Sequence, residues 1–145
     1  MPYTYEYPRP MVTVDIILIS KSEPESILLI QRKNEPYKSR WALPGGFVEM
    51  DEDLKDAAKR ELQEETGIIL KELNQFKAYG TVNRDPRGRT ISIIFYMILD
   101  EKLDAVAADD AGDADWYTMN TLPDLAFDHK TIIDDFLMFR NHLHQ

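Results

Sequence analysis

The sequence predicts an α/β fold, an α/β/α sandwich in which a mixed β-sheet lies between helices. Three observations lead to this class. Met11–Ser20 and Thr90–Leu99 are apolar, β-branched runs, too short for typical helices, and they predict strands. Apolar residues recur at helical spacing between residues 54 and 62. A second helical pattern starts at Asp128, so strands flank one helix and a closing helix is left to cover the sheet.

The whole chain, residues 1–145, is predicted to be one domain of sufficient size to enclose a core. Residues 1–10 are rich in Tyr and Pro and predict an extended N-terminal arm. Its alternating tyrosines indicate an added edge strand, a contact with the partner subunit of a homodimer, or a partly ordered tail. The arm does not resemble a signal peptide and no apolar run is long enough to span a bilayer, so the cytoplasm is expected.

Shorter strands and turns follow from local composition. Further strands are expected at 27–32, 41–43, 47–48, 75–81 and 115–117. Asp100 to Asp115 is expected to be an acidic, Ala-rich loop that precedes the last of these strands. Asp15 lies inside the first strand, which indicates either a polar pocket or a sheet edge.

Residues 51–67 predict the central helix and both of its ends. Asp51 or Asp53 is suited to cap the start, where the helix dipole favours acidic residues. Gly67 is the expected stop because glycine takes the left-handed conformation at little cost. The buried stripe of this helix is predicted to contain Leu54, Ala57, Ala58 and Leu62.

Glu61, Glu64 and Glu65 fall on or beside that apolar stripe. Burying unpaired carboxylates is costly and like charges within one turn repel, whereas a divalent cation removes both penalties. Ligands that are all oxygen suit Mg²⁺ or Mn²⁺. The alternative is a solvated acidic helix with incidental pairs, in which Arg60 reaches Glu64 at i,i+4.

Composition excludes several classes of function. The formal net charge is −9, which argues against nucleic acid and against a charge-driven membrane surface as partners. An anionic small molecule would have to be held by local arginines and a bound metal. The chain has no cysteine, so disulfides and thiolate metal sites are excluded.

The spacing from Gly46 to Ile68 matches the Nudix box at every fixed position. Five residues separate Gly46 from Glu52, and seven more precede the run Arg60-Glu61-Leu62. Glu64-Glu65 and Gly67-Ile68 follow, each after one intervening residue. The chain therefore resembles the Nudix hydrolases, and the preceding Trp-Ala-Leu-Pro-Gly-Gly run extends the match. The resemblance implies a Nudix-type sandwich and metal-dependent hydrolysis of a nucleoside diphosphate linked to another moiety.

The resemblance also implies roles for individual residues. The expected catalytic residues are Glu61, Glu64 and Arg60, with Arg60 orienting Glu61, which either holds metal or positions the attacking water. The expected ligands of Mg²⁺, for which Mn²⁺ can substitute, are Gly45 through its carbonyl, Glu61, Glu64, Glu65 and, directly or through another ligand, Glu52. Which carboxylate is the general base stays open. Asp109 or Asp110, in the acidic loop before the last strand, is the candidate for a further acid that completes the site. The alternative is that these acids, like most in such a loop, are solvated.

A basic turn, Asn83–Arg89, stands out in this acidic chain. Guanidinium groups bind diphosphate oxygens in pairs, although a basic surface hairpin explains the turn equally well in isolation. The turn and the Leu125–Lys130 segment resemble Nudix proteins that cleave ADP-ribose. The expected substrate contacts are Arg32, Arg40, Arg84, Arg87, Arg89 and Phe127. Trp41 and Phe127 are either core residues or stacking partners for a base, and His129 is either a helix-start residue or a catalytic base.

The expected substrate is ADP-ribose, cleaved to AMP and ribose 5-phosphate. Val82 stands where this subgroup often has proline, which bears on the substrate and not on the reaction class. A nucleoside triphosphate or another dinucleotide is the alternative substrate. A second alternative is a non-catalytic ADP-ribose sensor, similar to Nudix domains fused to a winged helix. The intact box and a chain that ends at Gln145 argue against the sensor.

Overall fold

The computed structural model describes residues 2–106 and 111–143, and within them the chain forms seven strands and two helices. The strands are β1 (Met11–Ser20), β2 (Ser26–Arg32), β3 (Trp41–Ala42), β4 (Gly45–Phe47), β5 (Asn74–Tyr79), β6 (Thr90–Leu99) and β7 (Ala111–Thr118). The helices are α1 (Leu54–Thr66) and α2 (His129–Leu143).

These strands form one mixed sheet in the order β3-β2-β1-β6-β5, with β4 also paired to β1 and β7 to β2. β1 runs parallel to β6 along its whole length, from Met11 opposite Thr90 to Ser20 opposite Leu99. It is antiparallel to β4 at its start and to β2 at its end. Because β1 is paired on both edges and covered on both faces, its sequence is almost continuously apolar.

Successive side chains of β1 enter two separate cores. Val14, Ile16 and Leu18 pack with the apolar stripe of α1. Ile17 and Ile19 point to the other face and pack with the apolar residues of α2. The sheet therefore lies between two helices, which confirms the predicted α/β/α arrangement.

The ends of β1, β6 and α1 agree with the sequence predictions. Gly67 takes the left-handed conformation, with φ of 76°, and its N–H donates to Gln63 O at 2.9 Å. Asp53 precedes α1 in an extended conformation, but its side chain makes no capping hydrogen bond. The first turn is thus stabilised by the helix dipole acting on acidic residues and not by a side-chain cap.

Strand β7 is longer than predicted. The sequence indicates a loop up to Asp115 and a strand of three residues, whereas β7 starts at Ala111 and pairs antiparallel with β2 from Arg32 to Ser26. Asp113 and Asp115 are exposed on this strand, so its apolar signal is weak. Backbone pairing to the buried strand β2 sets its length, and that signal is absent from its own composition.

The N-terminal arm adds no strand between residues 2 and 10. Tyr3 and Tyr5 stack with ring centroids 6.1 Å apart, and the Arg9 guanidinium lies 3.9 Å from the Tyr5 ring centroid. Neither α1 nor α2, the helices of the described ranges, has the length and apolar character needed to cross a membrane.

Candidate functional site

Arg60 connects three acidic side chains around the start of the site. Its Nε and Nη2 atoms donate to the two carboxylate oxygens of Glu52, each at 2.7 Å. Its Nη1 atom donates to Glu61 at 2.8 Å and to Glu64 at 3.2 Å. The hydrogen bonds from Arg60 hold the pKa of Glu52 below its usual value. Arg60 therefore fixes the orientation of Glu61 within α1 and ties the helix to the preceding loop.

The carboxylate of Glu61 lies directly against the backbone of Gly46. A Cβ atom added to Gly46 would stand 2.5 Å from Glu61 Cδ and Oε1, closer than real Cβ contacts occur. Burial raises the pKa of Glu61, and the hydrogen bond from Arg60 opposes that rise. Glycine is required here because the carboxylate occupies the space that any side chain would fill.

Glu65 is held by the other glycine of the turn. The Gly45 N–H donates to Glu65 Oε1 at 2.6 Å. Burial raises the pKa of Glu65 from 4.5 to about 8, although this hydrogen bond favours the charged form. A Cβ atom on Gly45 would stand 2.2 Å from the Val14 carbonyl oxygen, so β1 and β4 approach too closely for any other residue.

The three glutamates predicted to hold a metal do not converge on one point in this arrangement. Among residues 2–106 and 111–143, no three His, Asp or Glu side chains are grouped closely enough to hold an ion. Arg60 holds Glu61 and Glu64, whereas Gly45 holds Glu65. The Glu64 side chain is 55% exposed, so it faces solvent and not the apolar stripe. Their assignment as ligands, with Glu52 and the Gly45 carbonyl, stays a prediction.

A cavity of about 110 Å³ opens beside Glu65 and reaches the first residue of α2. Three of the five arginines expected to contact substrate line this cavity. They differ in how many of their guanidinium donors are hydrogen-bonded to other protein groups. Arg84 donates to both carboxylate oxygens of Asp128, at 2.9 and 2.6 Å, and its side chain is only 4% exposed. Asp128, the predicted start of the terminal helix, is thus tied to the basic turn.

Arg32 and Arg87 lie on the aromatic side of the cavity. The Arg32 guanidinium stands 5.0 Å from the Phe127 ring centroid, and among residues 2–106 and 111–143 only its Nε atom has a hydrogen-bond partner, Pro36 O at 2.7 Å. Arg87 pairs with Asp85 through Nε and Nη2 and lies 5.2 Å from the same ring. Arg32 therefore has the most uncommitted donors facing an anionic ligand in this cavity.

Other predicted contacts fall outside this cavity. Arg40 lies over the Tyr37 ring, 5.5 Å from its centroid, and Arg89 lies on an outer depression of the basic turn. Their contact with substrate stays a prediction. Asp109 and Asp110 lie outside the described residues. Val82 is 66% exposed, so its surroundings do not explain why this position has valine and not proline.

The two aromatic residues that were open to both interpretations occupy different environments. Trp41 packs against the core on the α2 face, with its ring centroid 4.9 Å from that of Tyr117. Phe127 lines the cavity instead and has a positive φ of 52°. Trp41 is therefore a core residue, whereas Phe127 is placed where a ligand ring can contact it.

Asp15 and His129 both line the cavity, although neither was among the expected site residues. Asp15 accepts a hydrogen bond from Ser92 Oγ, and burial raises its pKa to about 7. His129 Nδ1 accepts from the Leu43 N–H at 3.0 Å, and burial lowers the pKa of the ring to about 4. The sequence signals for this pair were an aspartate within an apolar strand, which left a polar pocket and a sheet edge as alternatives, and a histidine at a helix start; of the two alternatives for Asp15, the structure shows the pocket.

Comparison with known proteins agrees with this architecture. A family model described as NUDIX domain matches residues 9–136. The chain is 45% identical over 136 residues to the ADP-ribose pyrophosphatase of Methanocaldococcus jannaschii, covering 93% of this chain and 78% of that protein. It is 38% identical over 133 residues to the ADPR responsive transcriptional repressor NtrR of Acinetobacter baylyi. That match covers 88% of this chain and 53% of the repressor, so the chain spans about half of the repressor's length.

A solved structure shares the fold. The bifunctional NMN adenylyltransferase/ADP ribose pyrophosphatase from Francisella tularensis, complexed with AMP and a Mn ion, is 35% identical with a TM-score of 0.79. The match covers 92% of this chain and 43% of that chain. With the family model spanning most of the sequence and the box residues placed around one glycine turn, the chain belongs to the Nudix family and is a Nudix hydrolase.

Proposed function

We propose that the protein hydrolyses the diphosphate bond of ADP-ribose, giving AMP and ribose 5-phosphate, in a reaction that depends on Mg²⁺ or Mn²⁺. The observation that carries the proposal is one cavity that joins the buried Glu65 carboxylate to the guanidinium groups of Arg32, Arg84 and Arg87. A diphosphate needs both, because cations must neutralise its oxygens before a nucleophile can approach the phosphorus. The relatives named as ADP-ribose pyrophosphatases support the choice of substrate.

The residues present fit a hard divalent cation. The donors are all oxygen, and the buried Glu65 carboxylate has, among the described residues, one backbone hydrogen bond and no ion pair. The space beside Gly46 is occupied by the Glu61 carboxylate, which leaves no room for a side chain at Gly46. Glu64 is exposed, so it joins the other two by rotation of its side chain at little cost in packing. When bound, the ion neutralises phosphate charge and lowers the pKa of a bound water.

The chain's own residues bind and orient the reactants. Arg32 offers uncommitted guanidinium donors to the diphosphate oxygens, while Arg60 holds Glu61 in place. A water molecule loses a proton to a carboxylate and forms a bond to phosphorus, and the bond from that phosphorus to the anhydride oxygen breaks. The leaving phosphate carries away the electron pair. Which of the three glutamates accepts the proton is left open.

A substrate panel tests this function. Purified protein is incubated with Mg²⁺ and with ADP-ribose, other dinucleotides or nucleoside triphosphates, and the products are separated by chromatography. We expect AMP and ribose 5-phosphate from ADP-ribose, with the highest kcat/KM of the panel. Turnover of a triphosphate or another dinucleotide in its place refutes the substrate and keeps the reaction class. No turnover of any member with Mg²⁺ or Mn²⁺ refutes the class.

A non-catalytic sensor of ADP-ribose is the second candidate, and the similarity to the Acinetobacter repressor favours it. Arg60 and the glutamates of the box are all present, and Arg60 is hydrogen-bonded to Glu52, Glu61 and Glu64, which favours catalysis. Tight binding of ADP-ribose without hydrolysis under any divalent metal supports the sensor. A homodimer and a cytoplasmic location stay predictions, and the exposed Tyr3 and Tyr7 of the arm are the surface on which a partner subunit is expected.

A further inference from the structure

Asp15 and His129 each have one polar side-chain atom that makes no hydrogen bond to the described residues. Asp15 is 8% exposed and His129 is 3% exposed, and both line the cavity. Ser92 Oγ donates to Asp15 Oδ2, and the Leu43 N–H donates to His129 Nδ1. Within the described part of the chain, no hydrogen bond reaches Asp15 Oδ1 or His129 Nε2. These two atoms are 3.9 Å apart, too far to bond each other.

The hydrogen bond from Leu43 determines what His129 presents to the cavity. A ring nitrogen that accepts an N–H has no proton of its own, so the proton of His129 is on Nε2. The wall of the cavity therefore has one hydrogen-bond donor, His129 Nε2–H, beside one acceptor, Asp15 Oδ1. Within the described residues, no fully buried side-chain nitrogen or oxygen lacks a hydrogen-bond partner, so these two atoms are accessible from the cavity. A neutral group that both donates and accepts can therefore bond to both of them.

The hydrogen-bonding capacity of the pair narrows the chemistry of that group. An ionised phosphate oxygen has no proton to donate to Asp15 Oδ1, and a metal cation cannot accept a hydrogen bond from His129 Nε2, so neither one bonds to both atoms. A hydroxyl both accepts a hydrogen bond and donates one from a single oxygen atom, and it therefore fits a gap of 3.9 Å.

The location of Asp15 and His129 indicates whether they bind a sugar hydroxyl or the edge of a base. Asp15 is the partner of Gly45 in the pairing of β1 with β4, and a Cβ atom on Gly45 would lie 2.3 Å from Asp15 Oδ1. The same Gly45 binds Glu65 through its N–H. The group between Asp15 and His129 therefore lies next to the carboxylates expected to act on the diphosphate. In a nucleoside diphosphate sugar, the sugars adjoin the diphosphate, whereas the base is one glycosidic bond farther away.

We propose that Asp15 and His129 bind one hydroxyl group of a sugar attached to the diphosphate, and that they select substrates with that hydroxyl. This inference rests on the proposed function, because it takes the ligand to be a nucleoside diphosphate sugar. In it, Asp15 Oδ1 accepts from the hydroxyl and His129 Nε2 donates to it. Both residues then contact substrate, and Ser92 and Leu43 position them.

Binding measurements on deoxy analogues test the pair without turnover. Calorimetric titrations in EDTA compare ADP-ribose with analogues that each lack one ribose hydroxyl, and with the analogue in which hypoxanthine replaces adenine. Wild type is expected to bind ADP-ribose roughly 10- to 100-fold more tightly than one of the deoxy analogues, as for a hydrogen bond to a charged group. Asp15→Asn is expected to bring the two affinities within about threefold of each other.

His129→Asn is the second, independent variant, because an amide oxygen can replace Nδ1 as the acceptor for Leu43 while the donor at Nε2 is lost. It is expected to reduce the same preference. Asp100→Asn is the matched control, since the Asp100 side chain is 93% exposed, and it should bind like wild type. Circular dichroism and melting temperature establish that each variant is folded.

Three results overturn the inference. The first is equal affinity of wild type for ADP-ribose and every deoxy analogue. The second is a deoxy preference that persists unchanged in both folded variants. The third is that Asp15→Asn removes discrimination against hypoxanthine instead, which assigns the pair to the base. Hydroxyl-selective binding without hydrolysis in Mg²⁺ supports this inference and contradicts the proposed function, whereas hydrolysis without hydroxyl preference does the reverse. Failure to bind ADP-ribose at all contradicts both.

Discussion

Replacing Gly46 with alanine should slow hydrolysis far more than it destabilises the fold. The new Cβ atom would stand 2.5 Å from the Glu61 carboxylate, and ordinary contact begins near 3.4 Å, so that carboxylate must move by roughly 1 Å. Gly46 does not have a positive φ, so alanine adds no backbone strain. The atoms in the way are the end of a flexible side chain, which can yield without disturbing β4.

The rate follows from that displacement. A reacting group misplaced by about 1 Å costs on the order of 10²-fold in rate, and the same is expected of kcat for Gly46→Ala. The free energy of unfolding should stay within about 1 kcal/mol of wild type. The measurements are AMP release from ADP-ribose in Mg²⁺ over a range of substrate concentrations, and thermal or urea unfolding of the same preparation.

Gly80→Ala is the matched control. Its Cβ atom would lie 3.6 Å from Ile91 Cγ1, an ordinary contact, and Gly80 does not line the cavity. It should keep wild-type kcat and stability. A Gly46→Ala variant that is folded and retains nearly full kcat would show that the position of Glu61 does not matter for the reaction. A variant that fails to fold would show that the turn, and not Glu61, requires glycine.

Three further outcomes are expected. Arg84→Lys should lower the free energy of unfolding by about 1.5 kcal/mol, measured by urea titration, because lysine keeps the charge but loses one of the two hydrogen bonds to Asp128; an unchanged midpoint contradicts this. Arg32→Ala should lower kcat/KM for ADP-ribose at least tenfold, whereas Lys71→Ala, an exposed cation outside the cavity, should change it less than twofold; equal effects refute the distinction. Burial raises the pKa of Glu65 to about 8, so the folded state keeps a proton that the unfolded state has lost above 4.5, and stability falls as pH rises towards 8. In EDTA the contribution of Glu65 to the free energy of unfolding should fall between about pH 4.5 and 8, by up to about 1.4 kcal/mol per pH unit. Glu65→Gln should remove this contribution and leave that of Asp15, whose pKa is also raised, so equal slopes in the two proteins contradict the assignment.

Sequence predicted the parts of this fold that depend on local pattern. β1 and β6 are recognisable because each is a long, β-branched run, and α1 ends at Gly67 because only glycine takes that conformation cheaply. β7 was predicted too short because its length comes from pairing with β2. A strand whose exposed face has aspartates gives little composition signal, so its extent is fixed only in three dimensions.

The candidate site also contains contacts that the sequence predicted and contacts that it did not. The bond from Arg60 to Glu64 was predicted from i,i+4 spacing, whereas the bond from Arg60 to Glu61 was predicted from the family resemblance. The cavity joins Asp15 of β1 to His129 of α2, which are far apart in sequence, and no local pattern brings them together. All three arginines of the basic turn were predicted to contact substrate. Arg84 is instead hydrogen-bonded to Asp128, a contact that only the folded chain shows.

The central claim is that the glutamates of α1 bind a divalent cation beside the diphosphate. Titration of Mn²⁺ into the protein, followed by electron paramagnetic resonance, measures that binding without substrate. Wild type should bind Mn²⁺ saturably, and Glu64→Gln and Glu65→Gln should each weaken binding at least tenfold while the melting temperature in EDTA shows a folded protein. Glu72→Gln, an exposed acid beyond the end of α1, should bind as wild type does. Equal Mn²⁺ affinity in all four proteins would contradict the claim.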